Sequence, residues 1–398
     1  MKIEITAVKD GIYKDIDLPA TYSQIEDLLQ QLNSDGEINA RGRYSTGYGS
    51  YGSTFNYHNC YIFELNYLAE LVENFDYDKE NKFIGAYHLV ESKKMDKIEE
   101  NLNVSEAINI AMNINQNNKV DYQPAPNAYI LGEAYLENDW IPELENVVGD
   151  AYQWIMDHVN LEQVGEEIRE RENGTFISGQ YVTISEELDD LYDGSLRMPT
   201  KEEYAFKMEI GLKNEMESDG SSPRATLILP TNNETFRQLM RDFEVADLTE
   251  LSDYSFQSTI PVLEHMDFGM EDIEILNQLA ASIQYFKEIG EFNTYKAMID
   301  ALPVIDLERV NNLCDYTGEF TLIEKARNFA EYGRSKFQNI LPDELLECLN
   351  TEDYGRKLAE KNGVTLTAYG ALVPKDGVPL MEKVREQEQK QAQEMTME

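Results

Sequence analysis

The sequence predicts an α+β fold, drawn out into an elongated, multi-domain acidic protein built from two related α+β repeats. Three observations lead there. The chain has 398 residues, more than one ordinary domain needs, and 42% apolar and 10% aromatic content is enough for real cores. Short motifs recur at a fixed separation, which fixes architecture before anything else does. Asp plus Glu number 75 against 34 Lys plus Arg, a formal net charge of −41. A disordered acidic tail would have few aromatics, whereas this chain has 24 Tyr.

Leu18-Pro19-Ala20-Thr21 precedes the helical pattern Ile25, Leu28, Leu29, Leu32, and Leu229-Pro230-Thr231-Asn232 precedes Phe236, Leu239, Met240, Phe243; 229 − 18 = 211. Leu65-Asn66-Tyr67-Leu68-Ala69 matches Leu276-Asn277-Gln278-Leu279-Ala280, and 276 − 65 is again 211. Gly165-Glu166-Glu167-Ile168 leads to Asn173-Gly174-Thr175-Phe176-Ile177-Ser178, as Gly355-Arg356-Lys357-Leu358 leads to Asn362-Gly363-Val364-Thr365-Leu366-Thr367; here 355 − 165 = 190. The second copy is therefore about twenty residues shorter between its middle and its end (211 − 190 = 21). The copies span 1–195 and 200–380, with a short linker at Gly194–Thr200 and a polar C-terminal tail, 381–398, that is helical or disordered.

Each copy opens with a strand: Lys2 to Val8 alternates apolar and polar, and Ala225 to Leu229 is expected as its counterpart. A helix follows each Leu-Pro pair, where Pro fits a strand end or a helix start. In copy one, Arg41 to Tyr57 is rich in Gly, Ser and Tyr and reads as a mobile loop. The Leu-Asn-x-Leu-Ala helix starts a mostly helical middle, with Leu65, Leu68, Ala69, Leu71 and Val72 at the spacing of a buried face. The last section is a helix, an Asn-Gly stop and a short strand.

A charge excess this large works against compaction, because like charges repel. It points to a surface that imitates nucleic acid. B-DNA carries one phosphate charge per roughly 1.7 Å of axis, so a charge of this size would match about 70 Å of duplex, on the order of twenty base pairs. The same charge repels bare nucleic acid and anionic membranes. Adaptation to high salt fits poorly with a chain rich in Ile, Asn and Tyr. The N-terminus has no apolar signal region and no apolar run reaches the length of a membrane span, so a soluble protein of the host-cell cytoplasm is expected. Cys60, Cys314 and Cys348 are odd in number and widely spaced, which reads as buried reduced thiols.

Catalytic and cofactor signatures are not found. His58, His88, His158 and His265 form no zinc spacing, and His58-Asn59-Cys60 is the nearest approach to one. Gly47, Gly49 and Gly52 lack the strand, helix and Lys of a phosphate loop. Carboxylate pairs are too common to single out, which leaves a carboxylate-based hydrolase as one alternative and a protein-interaction scaffold as another. The distinctive feature is the acidic runs. Glu64, Glu70, Glu73, Asp76, Asp78 and Glu80 form the first. Glu133, Glu137, Asp139, Glu143, Glu145 and Asp150 form the second. Glu186, Glu187, Asp189, Asp190 and Asp193 form the third. Copy two offers Glu234, Asp242, Glu244, Asp247, Glu250 and Asp253, then Glu264, Asp267, Glu271, Asp272 and Glu274.

Three segments carry a family resemblance: Glu64-Leu65-Asn66-Tyr67-Leu68-Ala69, Gly174-Thr175-Phe176-Ile177-Ser178, and Asp353-Tyr354-Gly355-Arg356 with Val364-Thr365-Leu366-Thr367. In these the chain resembles the ArdA-type antirestriction proteins. It departs from them at Val164-Gly165-Glu166, where the family tends to have Tyr-Gly-Arg, and in holding two copies where members hold one and tend to dimerise. The resemblance implies an acidic DNA mimic of a mobile element that occupies the DNA groove of a type I restriction-modification enzyme, with no cofactor, no metal and no catalysis. A CRISPR effector is the alternative target. It also implies a monomer that does the work of a dimer.

Overall fold

The computed structural model describes residues 1–45, 54–96, 101–116, 119–144, 147–177, 179–213, 223–338 and 340–395. The protein is mixed α+β and divides into two compact units, Met1–Thr200 and Lys201–Glu398.

Unit 1 begins with a four-stranded antiparallel sheet in the order β2-β1-β3-β4, from β1 (Lys2–Lys9), β2 (Ile12–Leu18), β3 (Glu37–Ser45) and β4 (Thr54–Tyr61). Ile3, Ile5 and Ala7 of β1 point into the core, as the period of two requires. Between β2 and β3 lies α1 (Tyr22–Leu32), started by a Thr21–Gln24 capping box. Then come α2 (Ile62–Glu73), α3 (Tyr77–Asp96) and α4 (Val104–Gln116). A second, three-stranded sheet, β5-β7-β6, is formed by β5 (Val120–Gln123), β6 (Thr175–Ile177) and β7 (Gln180–Ile184). Between β5 and β6 run α5 (Ala128–Glu137), α6 (Asp150–His158) and α7 (Leu161–Glu172). One large core fills the first sheet and α1–α4 and takes in Val120 and Val182 of the second sheet, and a smaller one gathers around Leu131, Tyr135, Ile168 and Tyr181.

Unit 2 has β8 (Phe206–Leu212), β9 (Ala225–Leu229) and β10 (Leu251–Ser258) in the order β10-β8-β9, with α8 (Asn233–Asp242) after β9. Next are α9 (Ile273–Ile289), α10 (Phe292–Asp300) and α11 (Leu307–Leu313). Its second sheet is β11-β13-β12, from β11 (Phe320–Ile323), β12 (Thr365–Thr367) and β13 (Gly370–Pro374), with α12 (Phe329–Ser335), α13 (Asp343–Leu346) and α14 (Thr351–Asn362) between β11 and β12. A large core and a small one, around Ala326, Tyr332, Ala359 and Ala371, are again separate.

Three expectations change. The opening strand of unit 2 is β8, whose residues were not read as a strand; Ala225–Leu229 takes the place of β2, edge strand beside the opening strand and just before the Leu-Pro pair. Arg41–Tyr57 is not a loop throughout, since Arg41–Ser45 and Thr54–Tyr57 are paired strand; Gly47, Gly49 and Gly52 fall outside the described residues. Of the two forms expected for the tail, the helix is the one found, α15 (Leu380–Met395), and it buries Leu380 and Val384 in the core of unit 2. Of the three thiols only Cys60 is buried; Cys314 is half-buried and Cys348 exposed. Among the described residues no helix is long and apolar enough to cross a membrane.

Candidate acidic interface

The Leu-Asn-x-Leu-Ala helix, α2, buries Leu65, Leu68, Ala69 and Val72, and the polar member of that motif is buried with them. Asn66 Oδ1 accepts from the Ala20 backbone N–H at 2.7 Å, just after the Leu18-Pro19 bond. The amide's other end donates to Glu70 Oε1 at 3.1 Å and so holds that carboxylate on the outer face. Burial and the neighbouring Glu73 push the Glu70 carboxyl above its ordinary value, against the pull of Arg197. Glu73, Asp76 and Asp78 are exposed, and Asp76 accepts from the Lys79 N–H at the start of α3. Two members of this first run point elsewhere. Glu64 is half-buried and takes a hydrogen bond from Ser105. Glu80 is buried against the Met1 amino group at 2.9 Å.

The third run is brought to the first by two asparagines of α4, one turn apart. Asn113 exchanges hydrogen bonds with the Asp189 backbone, donating to its carbonyl at 2.9 Å and accepting from its N–H at 3.0 Å. Asn109 accepts from the N–H groups of Leu191 and Tyr192 and donates to the Asp190 carboxylate at 2.9 Å. The segment then continues across α2. The Tyr192 ring stacks on Tyr67 at 6.0 Å, and the Arg197 guanidinium lies 4.2 Å from the other's ring centroid and donates to its hydroxyl. Burial, then the Glu64 carboxylate, push the Tyr192 phenol up to about 12. Residues 194–200, expected as a linker, are thus partly bound to unit 1. Glu186, Glu187, Asp189 and Asp190 are all exposed. Lys119 offsets part of this charge, 2.7 Å from Asp189 and 4.0 Å from Glu186.

The second run sits on α5 and the turns beyond it. Glu133 is half-buried; Glu137, Asp139 and Glu143 are exposed, with Glu143 3.9 Å from Arg171. Glu145 lies outside the described residues. In unit 2, Asp267 and Glu271 are exposed, while Glu264 and Asp272 turn back to the Ser258 and Gly269 backbone N–H groups at 3.1 Å each. At the separation of 211 that relates the motifs, α9 has Ile275, Ala281 and Gln284 where α2 has Glu64, Glu70 and Glu73. The acidic face of α2 has no copy there.

The arrangement is therefore a set of exposed carboxylates in unit 1, of which Glu70 and Asp190 are held by side-chain amides, a surface of hydrogen-bond acceptors suited to cationic donors. His58 is exposed and bonded to Asn56, and burial raises the Cys60 thiol to about 12, so that pair is a poor metal site. Among the described residues no group of three His, Cys, Asp or Glu could hold a metal ion. The residues that organise the surface, Asn66, Asn109, Asn113, Lys119 and Arg197, were missed in the sequence. Asn109 and Asn113 did leave a signal, a polar pair at i, i+4 within the otherwise apolar stretch Ala107–Ile114. No protein-family model and no curated protein sequence matches this chain.

Proposed function

We propose that this chain is an ArdA-like DNA mimic that inhibits a DNA-binding defence enzyme by occupying its DNA groove. The observation that carries the reading is the joining of the first and third acidic runs on unit 1 by Asn109, Asn113 and the Tyr67–Arg197 contact. Carboxylates held in place by amides lose less freedom on binding than free ones, so they meet Lys and Arg of a groove at lower entropic cost. Charge-assisted hydrogen bonds and electrostatic steering supply affinity and speed. The function needs no cofactor and no catalytic step. A type I restriction-modification enzyme in the host cytoplasm is the first target, and a CRISPR effector the alternative.

The finer architecture, two diverged copies of one α+β unit acting as a monomer, belongs to the same proposal. What supports it is that β12 and β13 pair in the register of β6 and β7, each residue 190 positions on (365 − 175; 372 − 182). The Asn277 side chain also accepts from the Thr231 N–H at 2.7 Å, repeating the Asn66–Ala20 bond 211 positions on (277 − 66; 231 − 20).

The test is inhibition of a purified type I restriction enzyme. Inhibition is expected to be relieved by added duplex DNA and to weaken between about 50 and 200 mM salt. Neutralising Glu70, Glu73, Asp76 and Asp78 singly is expected to cost less than about 1 kcal/mol each, and neutralising all four to weaken inhibition clearly. Salt-independent inhibition, or one substitution that abolishes it alone, sinks the reading.

A further inference from the structure

The connection from α5 to α7 carries an apolar face that unit 1 leaves open. None of the described side chains of α6 is buried. Val148 is 79% exposed, Trp154 64% and Trp140 48%. Val148 also lines a groove of about 520 Å³, walled by Tyr135, Leu136, Ile141 and Val147, with Asp139 at its edge. The two indoles are held in place. Trp140 packs edge-on against Tyr135 at 5.4 Å, and Trp154 stacks on His158 at 4.6 Å, with His158 Nδ1 2.8 Å from the Trp154 carbonyl. Exposed aromatics that are already ordered are the anchors interfaces use, because little rotamer freedom remains to be lost.

The charge around this face is mainly negative, with Arg171 of α7 beside Glu143 at 3.9 Å. Residues 137–162 contain carboxylates but no Lys or Arg. The connection at the same place in unit 2, from α12 to α14, has the same character. Ile340 is 72% exposed and Leu345 54%, and residues 338–350 again lack Lys and Arg. An apolar centre with an acidic rim fits one chemistry: a protein surface with aliphatic side chains flanked by Lys or Arg. Nucleic acid and anionic lipid are repelled by the same rim.

We propose that α6 and the turn before it dock a basic, amphipathic protein segment, with Trp154 and Val148 as the apolar anchors. That this segment belongs to the DNA-binding target rests on the proposed function; the docking does not. Trp140 and Trp154 are the two tryptophans of the chain, so fluorescence excited selectively at tryptophan, without the tyrosines, reports on this face. The full chain is titrated with an amphipathic Lys/Leu helical peptide and with oligolysine of equal charge. A saturable blue shift is expected with the amphipathic peptide, kept at about 200 mM salt, and none with oligolysine. Calorimetry is expected to show at least about a tenfold affinity loss for Trp154→Ala, as for an aromatic anchor, and near-complete recovery for Trp154→Phe. Circular dichroism should be unchanged, since α6 packs no described side chain into a core. Equal response to oligolysine, unchanged affinity of Trp154→Ala, or the same shift with phosphatidylcholine vesicles overturns the proposal. Failure here leaves restriction inhibition to its own assay.

Discussion

A methyl group placed on Gly165 would fall 1.8 Å from the Ala128 carbonyl oxygen; one placed on Gly355 would fall 1.8 Å from that of Phe329. The partner glycines behave alike, Gly132 meeting the Leu161 oxygen at 2.1 Å and Gly333 the Thr351 oxygen at 2.1 Å. Unit 1 and unit 2 thus cross α5 with α7 and α12 with α14 at backbone contact. Elsewhere they differ. Unit 1 has a β4 strand where unit 2 passes through short 3-10 turns after β10. The Asn-Gly stop is used differently too, Asn173 taking the left-handed position in one and Gly363 in the other. Most of the candidate carboxylates of unit 1 face solvent, whereas Glu264 and Asp272 of unit 2 bond local backbone amides. Geometry with no room for a Cβ is the same in both units, and surface chemistry is not. The contrast is sharpest on the two Leu-Asn-x-Leu-Ala helices, where Ile275, Ala281 and Gln284 of α9 stand at the positions of Glu64, Glu70 and Glu73 of α2.

The crossings give the largest expected effect. Gly165→Ala and Gly355→Ala are each expected to destabilise their own unit by about 3 kcal/mol, since overpacking against backbone outweighs the roughly 1 kcal/mol that Ala adds to a helix. Denaturant unfolding measures both, and a neutral Gly355→Ala beside a costly Gly165→Ala would break the equivalence. A smaller effect attends the motif asparagines. Asn66→Ala leaves the buried Ala20 N–H without its acceptor and is expected to cost about 2 kcal/mol. Asn277 is half-buried, so water can replace it, and Asn277→Ala should cost about 1 kcal/mol. Equal costs would show that the two sites are equally dry.

The smallest effect sharpens the electrostatic contrast. Folding raises the Glu70 carboxyl, so ionising it is harder in the folded state than in the unfolded one. The penalty is present above the raised value and gone below about pH 4. Glu70→Gln should therefore stabilise at pH 7 by well under 1 kcal/mol, because the group is largely exposed, and the gain should vanish in acid. A gain that persists below that range would mean the effect is not one of charge. Ala281, at the equivalent place in unit 2, has no charge to relieve.

Motifs whose residues touch one another locally were legible. The helices after Leu18-Pro19 and Leu229-Pro230 stand where their apolar spacing put them, with Thr21 and Asn232 as caps. The shortening between 211 and 190 was visible, but the structure divides it. The α12 cap Asn328 lies 201 beyond the α5 cap Asn127, and the α14 cap Asn350 190 beyond Asn160. About ten residues are therefore missing before the crossing and about ten within it (211 − 201 = 10; 201 − 190 = 11). β8 was missed because the motif nearest it matched a different strand of the sheet. The acidic runs were counted correctly as sequence, yet Glu80, Glu64, Glu264 and Asp272 do not lie free on the surface.

The sequence by itself determined the α+β class, the buried face of α2 and the excess of negative charge, because each follows from composition or from contacts a few residues apart. Only the tertiary structure decided which carboxylates share a surface. Asn113 and Asp189 are 76 positions apart, and Tyr67 and Arg197 130. No local period encodes a hydrogen bond or a ring contact across that distance; it exists once the core has closed and set α4 and α2 beneath the returning chain.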